Sequence, residues 1–194
     1  TGEGEIVAKG PNVMLGYYKD PVRTKSVFTE DGWFRTNDIA VQDSKGRFSI
    51  KGRNNNMILG PSGENIYPEE IENVINNMEG VGESIVVERN GRLVALVQPA
   101  ENFIQWDKEG EDKIYEKLDN WKAKVLKMVN KNVSKSSQVS SVEVMKEPFE
   151  KTATQKIRRF KYKESAPTLE AEHSEKEENK KEKTTYRMGD SICK

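Results

Sequence analysis

Apolar positions along this chain repeat with two different periods. Up to residue 52 they come in short bursts. "GEIVAKG" sets a brief apolar run between glycines, and "GRFSIKG" alternates Phe48 and Ile50 with polar neighbours, as a half-buried strand would. Turn signals at Asp31-Gly32 and Lys45-Gly46 predict short antiparallel strands here. Beyond Gly52 the period lengthens. Ile71, Val74, Ile75 and Met78 follow i, i+3, i+4, i+7 and put one apolar face on a helix. Pro68 suits its first turn, Glu69, Glu70 and Glu72 lie near its positive end, and Gly80 stops it. "SIVVERNGRLVALVQPA", residues 84–100, predicts a hairpin turning at Asn90-Gly91. Ile114, Leu118, Trp121, Val125, Met128 and Val129 stripe a second helix over 111–133, and "SSVEVMK", residues 140–146, predicts a third strand. A loop through Pro148 to Gln155 then leads into the basic stretch "KIRRFKYK". The expected fold class is α+β. A β-rich segment, 1–52, precedes a small unit of helices on a short sheet, 53–163, long enough for its own core.

From Ser165 onward the pattern fails. "EAEHSEKEENKKEK" has almost nothing to bury, so residues 164–194 are expected to form a charged, disordered tail. The lone His173 and lone Cys193 both fall there, where no base or nucleophile is held in register. The 194 residues carry 32 Lys+Arg against 32 Asp+Glu, a balance that argues against nucleic-acid binding through bulk positive charge. A single Cys forms no internal disulfide and suits a reducing cytoplasm. No apolar run reaches membrane-spanning length. The opening "TGEGEIV" lacks Met and is already strand-like, so the chain reads as a piece of a longer protein.

The folded part has no His or Cys cluster for a metal, no Ser-His-Asp set, no GxxxxGK[ST] and no GxGxxG after a strand. Chemistry falls by elimination to Lys, Arg, Asp and backbone amides, groups that stabilise phosphate or hold ribose. Asp38 in "DGWFRTNDIA" can accept two hydrogen bonds from a vicinal diol, although its local pattern fits an ordinary turn aspartate better. "GRNNNMILGPSGENIYPEEIE" raises a question of its own: why does so polar and glycine-rich a loop precede so well-marked a helix? Arg53 stands at the boundary, Asn54-Asn55-Asn56 tolerates large backbone changes, and Gly60 and Gly63 permit close approach; a solvated linker is the plainer reading. Lys156 follows the polar loop "EKTATQ", and a solvated basic loop is again the plainer reading.

Taken together these stretches resemble the adenylate-forming superfamily, which includes acyl-CoA synthetases and peptide-synthetase adenylation domains. "GEIVAKGPNVMLGYYKDPVRT", "GWFRTNDIA", "GRNNNMILGPSGENIYPEEIE" and "KTATQKIRRF" are similar to four of its motifs, in order, across nearly all of residues 2–160. The wording looks most like the C-terminal portion of a long-chain fatty acid–CoA ligase. The resemblance implies an enzyme that activates a fatty acid with ATP to acyl-AMP and then transfers the acyl group to CoA. ATP, Mg2+ and CoA would serve the parent enzyme, with none expected bound to this piece. Residues 1–52 would end the N-terminal adenylation domain, and 53–163 would be a mobile lid that turns between the two steps. Asp38 would bind ribose hydroxyls, Arg53 would follow it in the nucleotide site, and Asn55 would be the hinge. Lys156 would be the adenylation lysine. Gly60, Pro61, Ser62, Gly63, Glu64 and Asn65 would line the CoA tunnel, which would account for the glycine-rich loop.

Three residues depart from the pattern. Asn37 and Gln155 stand where Gly is usual, and Asn55 lacks the usual hinge charge. The phosphate loop, adenine segment and acyl tunnel would lie upstream, so this chain alone is expected to be inactive and its main partner is the missing N-terminal domain. Neither a nucleic acid nor a membrane-spanning segment is expected. The resemblance places the protein in the cytoplasm, with peripheral attachment to the inner membrane open. It also leaves open another acyl-adenylating enzyme, such as an acyl-ACP synthetase, and a non-catalytic interaction module.

Overall fold

The computed structural model describes residues 2–101, 103, 111–164 and 166–169. It divides into two compact units between Glu70 and Ile71.

In the first unit, β1 (Glu3–Ala8), β2 (Phe34–Gln42) and β3 (Phe48–Arg53) form an antiparallel sheet in the order β1-β2-β3. The Lys45-Gly46 turn joins β2 to β3, with Gly46 at φ 78° and Asp43 accepting from the Lys45 and Arg47 amides. A short helix unforeseen in the sequence, α1 (Pro21–Ser26), lies between β1 and β2. Asp20 caps it by accepting from Arg23 N–H at 3.0 Å, and Pro21 sits in its first turn. Phe48 and Ile50 are 65% and 68% exposed, against the half-buried strand expected of them. Here β3 is an edge strand, and no element of this unit covers that face.

The glycine-rich loop is a hairpin rather than a loop. The strands β4 (Ile58–Leu59) and β5 (Asn65–Ile66) pair antiparallel. Tyr67 is buried beside it and donates its hydroxyl to Glu3 at 2.5 Å, tying the hairpin back to β1. Asn56 donates to Glu69 at 2.5 Å. Such contacts group residues 53–70 with the first unit, past the Gly52 boundary drawn from the sequence. The helix α2 (Pro68–Asn76) follows, with Ile71 and Ile75 fully buried.

In the second unit, β6 (Val81–Arg89) and β7 (Arg92–Pro99) form the hairpin expected at Asn90-Gly91, whose φ values of 52° and 72° suit a type I′ turn. α3 (Glu111–Asn132) then crosses over, and β8 (Ser141–Val144) pairs parallel to β7. Ile114, Leu118, Trp121, Val125 and Val129 of α3 are buried. Met128, expected in that stripe, is 45% exposed, because the buried row runs at i, i+4 through Trp121, Val125 and Val129 and carries position 128 to the rim. Ile85, Val87, Val94, Leu96, Met145, Phe149 and Tyr162 make one core cluster, with Ile157 packed against it. Residues 166–169, placed in the expected tail, belong to the fold, and residues 170–194 of that tail lie outside the described residues. Thr168 bridges Met145 and is buried, as is Leu169, the apolar residue that the charge-dominated reading of this segment passed over. His173 and Cys193 lie outside the described residues. Among the described residues, no helix is long and apolar enough to cross a membrane.

Burial, and then the hydrogen bond to the Glu3 carboxylate, push the Tyr67 hydroxyl up from 10.0 to about 12. A raised folded-state value means stability that is whole below pH 10.0 and is lost as pH climbs through about 12. Urea melts across that window should show a falling stability whose slope is smaller in Tyr67→Phe than in the parent chain.

Candidate functional site

Asp38 is presented by a break in β2. Glu5 pairs with Ile39 and Val7 pairs with Arg35, so Thr36, Asn37 and Asp38 of β2 stand opposite the single residue Ile6. The bulge is held from both sides. Thr36 donates its hydroxyl to the Ile6 carbonyl at 2.7 Å and accepts from Asp38 N–H at 3.1 Å, while Asn37 N–H donates to Glu5 at 3.0 Å. Asn37 occupies the left-handed region at φ 64°. Bulges of this kind re-aim side chains next to functional sites. Across the sheet, Asp38 pairs directly with Arg53, and the Arg53 Nε lies 3.3 Å from Asp38 Oδ1. The carboxylate remains 32% and the guanidinium side chain 46% exposed, so both have faces free for a ligand. The structure thus brings together the two residues expected at a nucleotide. Glu5, which holds the bulge, stands in the "GEIVAKG" stretch that resembles a family motif, but nothing in the sequence marks it with a role of its own.

Arg53 ends β3 and leads into a 3-10 turn, Asn54–Asn56, with Asn55 exposed. The hairpin follows. Gly60 N–H donates to Glu64 O at 2.8 Å, Gly63 N–H donates to Gly60 O at 2.9 Å, and Gly63 has φ 83°. This is a three-residue turn, Pro61-Ser62-Gly63, with Pro at the position it pre-sets and Gly at the left-handed one. The turn chemistry therefore supplies a local reason for Gly63. Pro61, Ser62 and Gly63 are exposed, and Asn65 donates to Glu3 at 3.4 Å.

Lys156 belongs to the second unit. It closes a turn in which Thr152 N–H donates to Lys156 O at 2.8 Å and Gln155 N–H to Thr152 O at 2.9 Å. Lys151 bridges Ile157 across the turn's base. Gln155 has φ 60°, which is why glycine suits that position. The neighbouring cations are committed. Lys151 pairs with Glu83 at 2.7 Å, Arg158 with Glu150 at 3.4 Å, Lys161 with Glu150, and Arg159 with Glu72. The Lys161 ammonium bonded to Glu150 holds that carboxyl below its usual range, with Arg158 adding to the effect. Among the described residues, Lys156 makes no ion pair and its ammonium donates no hydrogen bond. An exposed, unspent cation on a tethered turn is suited to meet an anion brought by a ligand. Among the described residues no group of three or more His, Cys, Asp or Glu side chains is placed to hold a metal.

The family model described as AMP-binding enzyme C-terminal domain matches residues 55–171, and the chain belongs to that family. It is 44% identical over 103 residues to an indoleacetate–CoA ligase of Aromatoleum aromaticum, covering 50% of this chain and 20% of that protein. It is 38% identical over 121 residues to long-chain-fatty-acid–CoA ligase 1 of Cavia porcellus, covering 60% of this chain and 17% of that one. Among solved structures, ATP-bound MatB from Rhodopseudomonas palustris superposes with a TM-score of 0.61 at 29% identity over 82% of this chain and 29% of its own. The chain thus spans less than a third of each of these relatives.

Two left-handed positions without glycine make a paired prediction. Gln155→Gly should raise stability by up to about 1 kcal/mol by removing backbone strain, while Asn37→Val should lower it by about 1–2 kcal/mol. Urea denaturation of the three proteins reads both signs.

Proposed function

We propose that this chain is the C-terminal portion of an acid–CoA ligase whose substrate is a long-chain fatty acid. The observation that carries the reading is Lys156: one cation, on a turn closed by its own backbone, left without a counter-charge among paired neighbours. In the first step a fatty acid carboxylate attacks the α-phosphorus of ATP, forming the acyl–phosphate bond and releasing pyrophosphate. Negative charge spreads over the transferring group's oxygens, and the Lys156 ammonium stabilises it there. Asp38 accepts the two ribose hydroxyls, and Arg53, paired to it across the sheet, fixes the carboxylate's orientation. In the second step the CoA thiol attacks the acyl carbon and AMP leaves.

Asn55, in its short 3-10 turn, is proposed as the pivot between the two steps. The hairpin residues Gly60, Pro61, Ser62, Gly63, Glu64 and Asn65 are proposed to line the CoA path, since the exposed turn has no bulky side chain at its tip. Mg2+ would travel with the ATP phosphates. The rest of the protein would supply the adenine site and the acyl pocket, and we place the enzyme in the cytoplasm.

The complete polypeptide should form thioester from palmitate, ATP and CoA, and these 194 residues alone should form none. In the complete polypeptide, Lys156→Met should lower fatty-acid-dependent ATP–pyrophosphate exchange about 100-fold or more. It should leave transfer from supplied acyl-adenylate to CoA unchanged. A preference for indoleacetate over palmitate would keep the ligase and overturn the fatty-acid assignment. Undiminished exchange would overturn the role of Lys156.

A further inference from the structure

One of the ion pairs around Lys156 is built differently from the others. Glu72, one turn into α2, is 6% exposed. Its carboxylate takes both terminal guanidinium nitrogens of Arg159 and also accepts Val86 N–H of β6 at 2.7 Å. Arg159 stands three residues beyond Lys156 and opens a 3-10 turn, Arg159–Tyr162. That turn ends in Tyr162, which is buried edge-on against Phe149 and accepts Glu150 N–H at 2.8 Å.

A buried ion pair is a weak source of stability, because well-packed apolar side chains of similar volume often do as well or better. A bidentate pair supplies orientation instead: the planar guanidinium meets a carboxylate in one geometry. At the other end of the Lys156 turn, Lys151 reaches Glu83, also on β6. The turn is therefore stapled at both ends, once at its surface and once in the interior. Gln155 at φ 60° strains the backbone between the staples, which a free loop would relax.

We propose that Glu72 and Arg159 are positioning residues for Lys156, acting through the backbone of residues 156–159 to hold its ammonium in one place. The proposal rests on the reading that Lys156 serves the adenylation step. A displacement of about 1 Å from the productive geometry costs on the order of 100-fold in rate.

The test uses the complete polypeptide, with Glu72→Gln, Arg159→Lys and Lys156→Met made singly and Glu72→Gln combined with Lys156→Met. Thermal melts establish folding, and the two half-reactions are assayed separately. Glu72→Gln and Arg159→Lys should each lower the kcat of ATP–pyrophosphate exchange about 10- to 100-fold with the KM for ATP little changed. Transfer from supplied acyl-adenylate to CoA should hold. The combined variant should be no slower than Lys156→Met alone, because the pair acts only through that lysine. Equal losses in both half-reactions, an additive loss in the combined variant, or loss of the folded state in both single variants would overturn the proposal. Lys156→Met without effect would sink the underlying reading as well. Lys156→Met effective with Glu72→Gln silent would sink this proposal alone.

Discussion

In the second unit, among the described residues, one ammonium in a basic cluster has no counter-charge. Basic side chains crowd residues 151–161, and left to themselves they would repel or wander. The structure spends carboxylates on all but one: Glu83 on Lys151, Glu150 on Arg158 and Lys161, Glu72 on Arg159. What is left, Lys156, sits on a turn whose base is a β-bridge and whose flank, Ile157, packs on the core cluster. The exposed pairs among them, those of Glu83 and Glu150, contribute little to stability, about 0–1 kcal/mol each. The consequence of all the pairs is electrostatic: each neutralises a cation next to Lys156.

The first unit solves a related problem with backbone rather than charge. A regular β2 would alternate its side chains across the sheet and leave Asp38 where the pleat put it. The three-residue bulge re-aims it, and Thr36 and Glu5 satisfy the amides that the bulge frees. The same economy appears in the glycine-rich hairpin. Gly63, at positive φ, answers first to turn geometry, so its presence alone does not argue for a moving loop.

Much of this was legible in the chain. Long periodic stretches announced α2, α3 and the Asn90-Gly91 hairpin because burial and period agree there. The candidate residues were legible as motifs, and the structure brings Asp38 and Arg53 face to face. Other features depended on tertiary context. Met128 fitted the apolar count, yet the tilt of the buried row leaves it exposed. Phe48 and Ile50 alternate correctly, but alternation does not say whether anything covers the face. Glu72 read as an ordinary first-turn acid, and only packing brings it to Arg159, 87 residues away in sequence. Asn37 and Gln155 carried a signal in retrospect: each replaces a glycine that the backbone at positive φ would favour.

The central claim is that the Lys156 ammonium meets the group being transferred. A crystal structure of the complete polypeptide with a non-reactive acyl-adenylate analogue tests it most directly. The account predicts Lys156 Nζ within hydrogen-bond distance, about 3 Å, of an oxygen of the adenylate's phosphate or acyl group, with Asp38 on the ribose. A structure in which the analogue is fully bound, the ribose is held by other residues and a different cation takes the phosphate would contradict it.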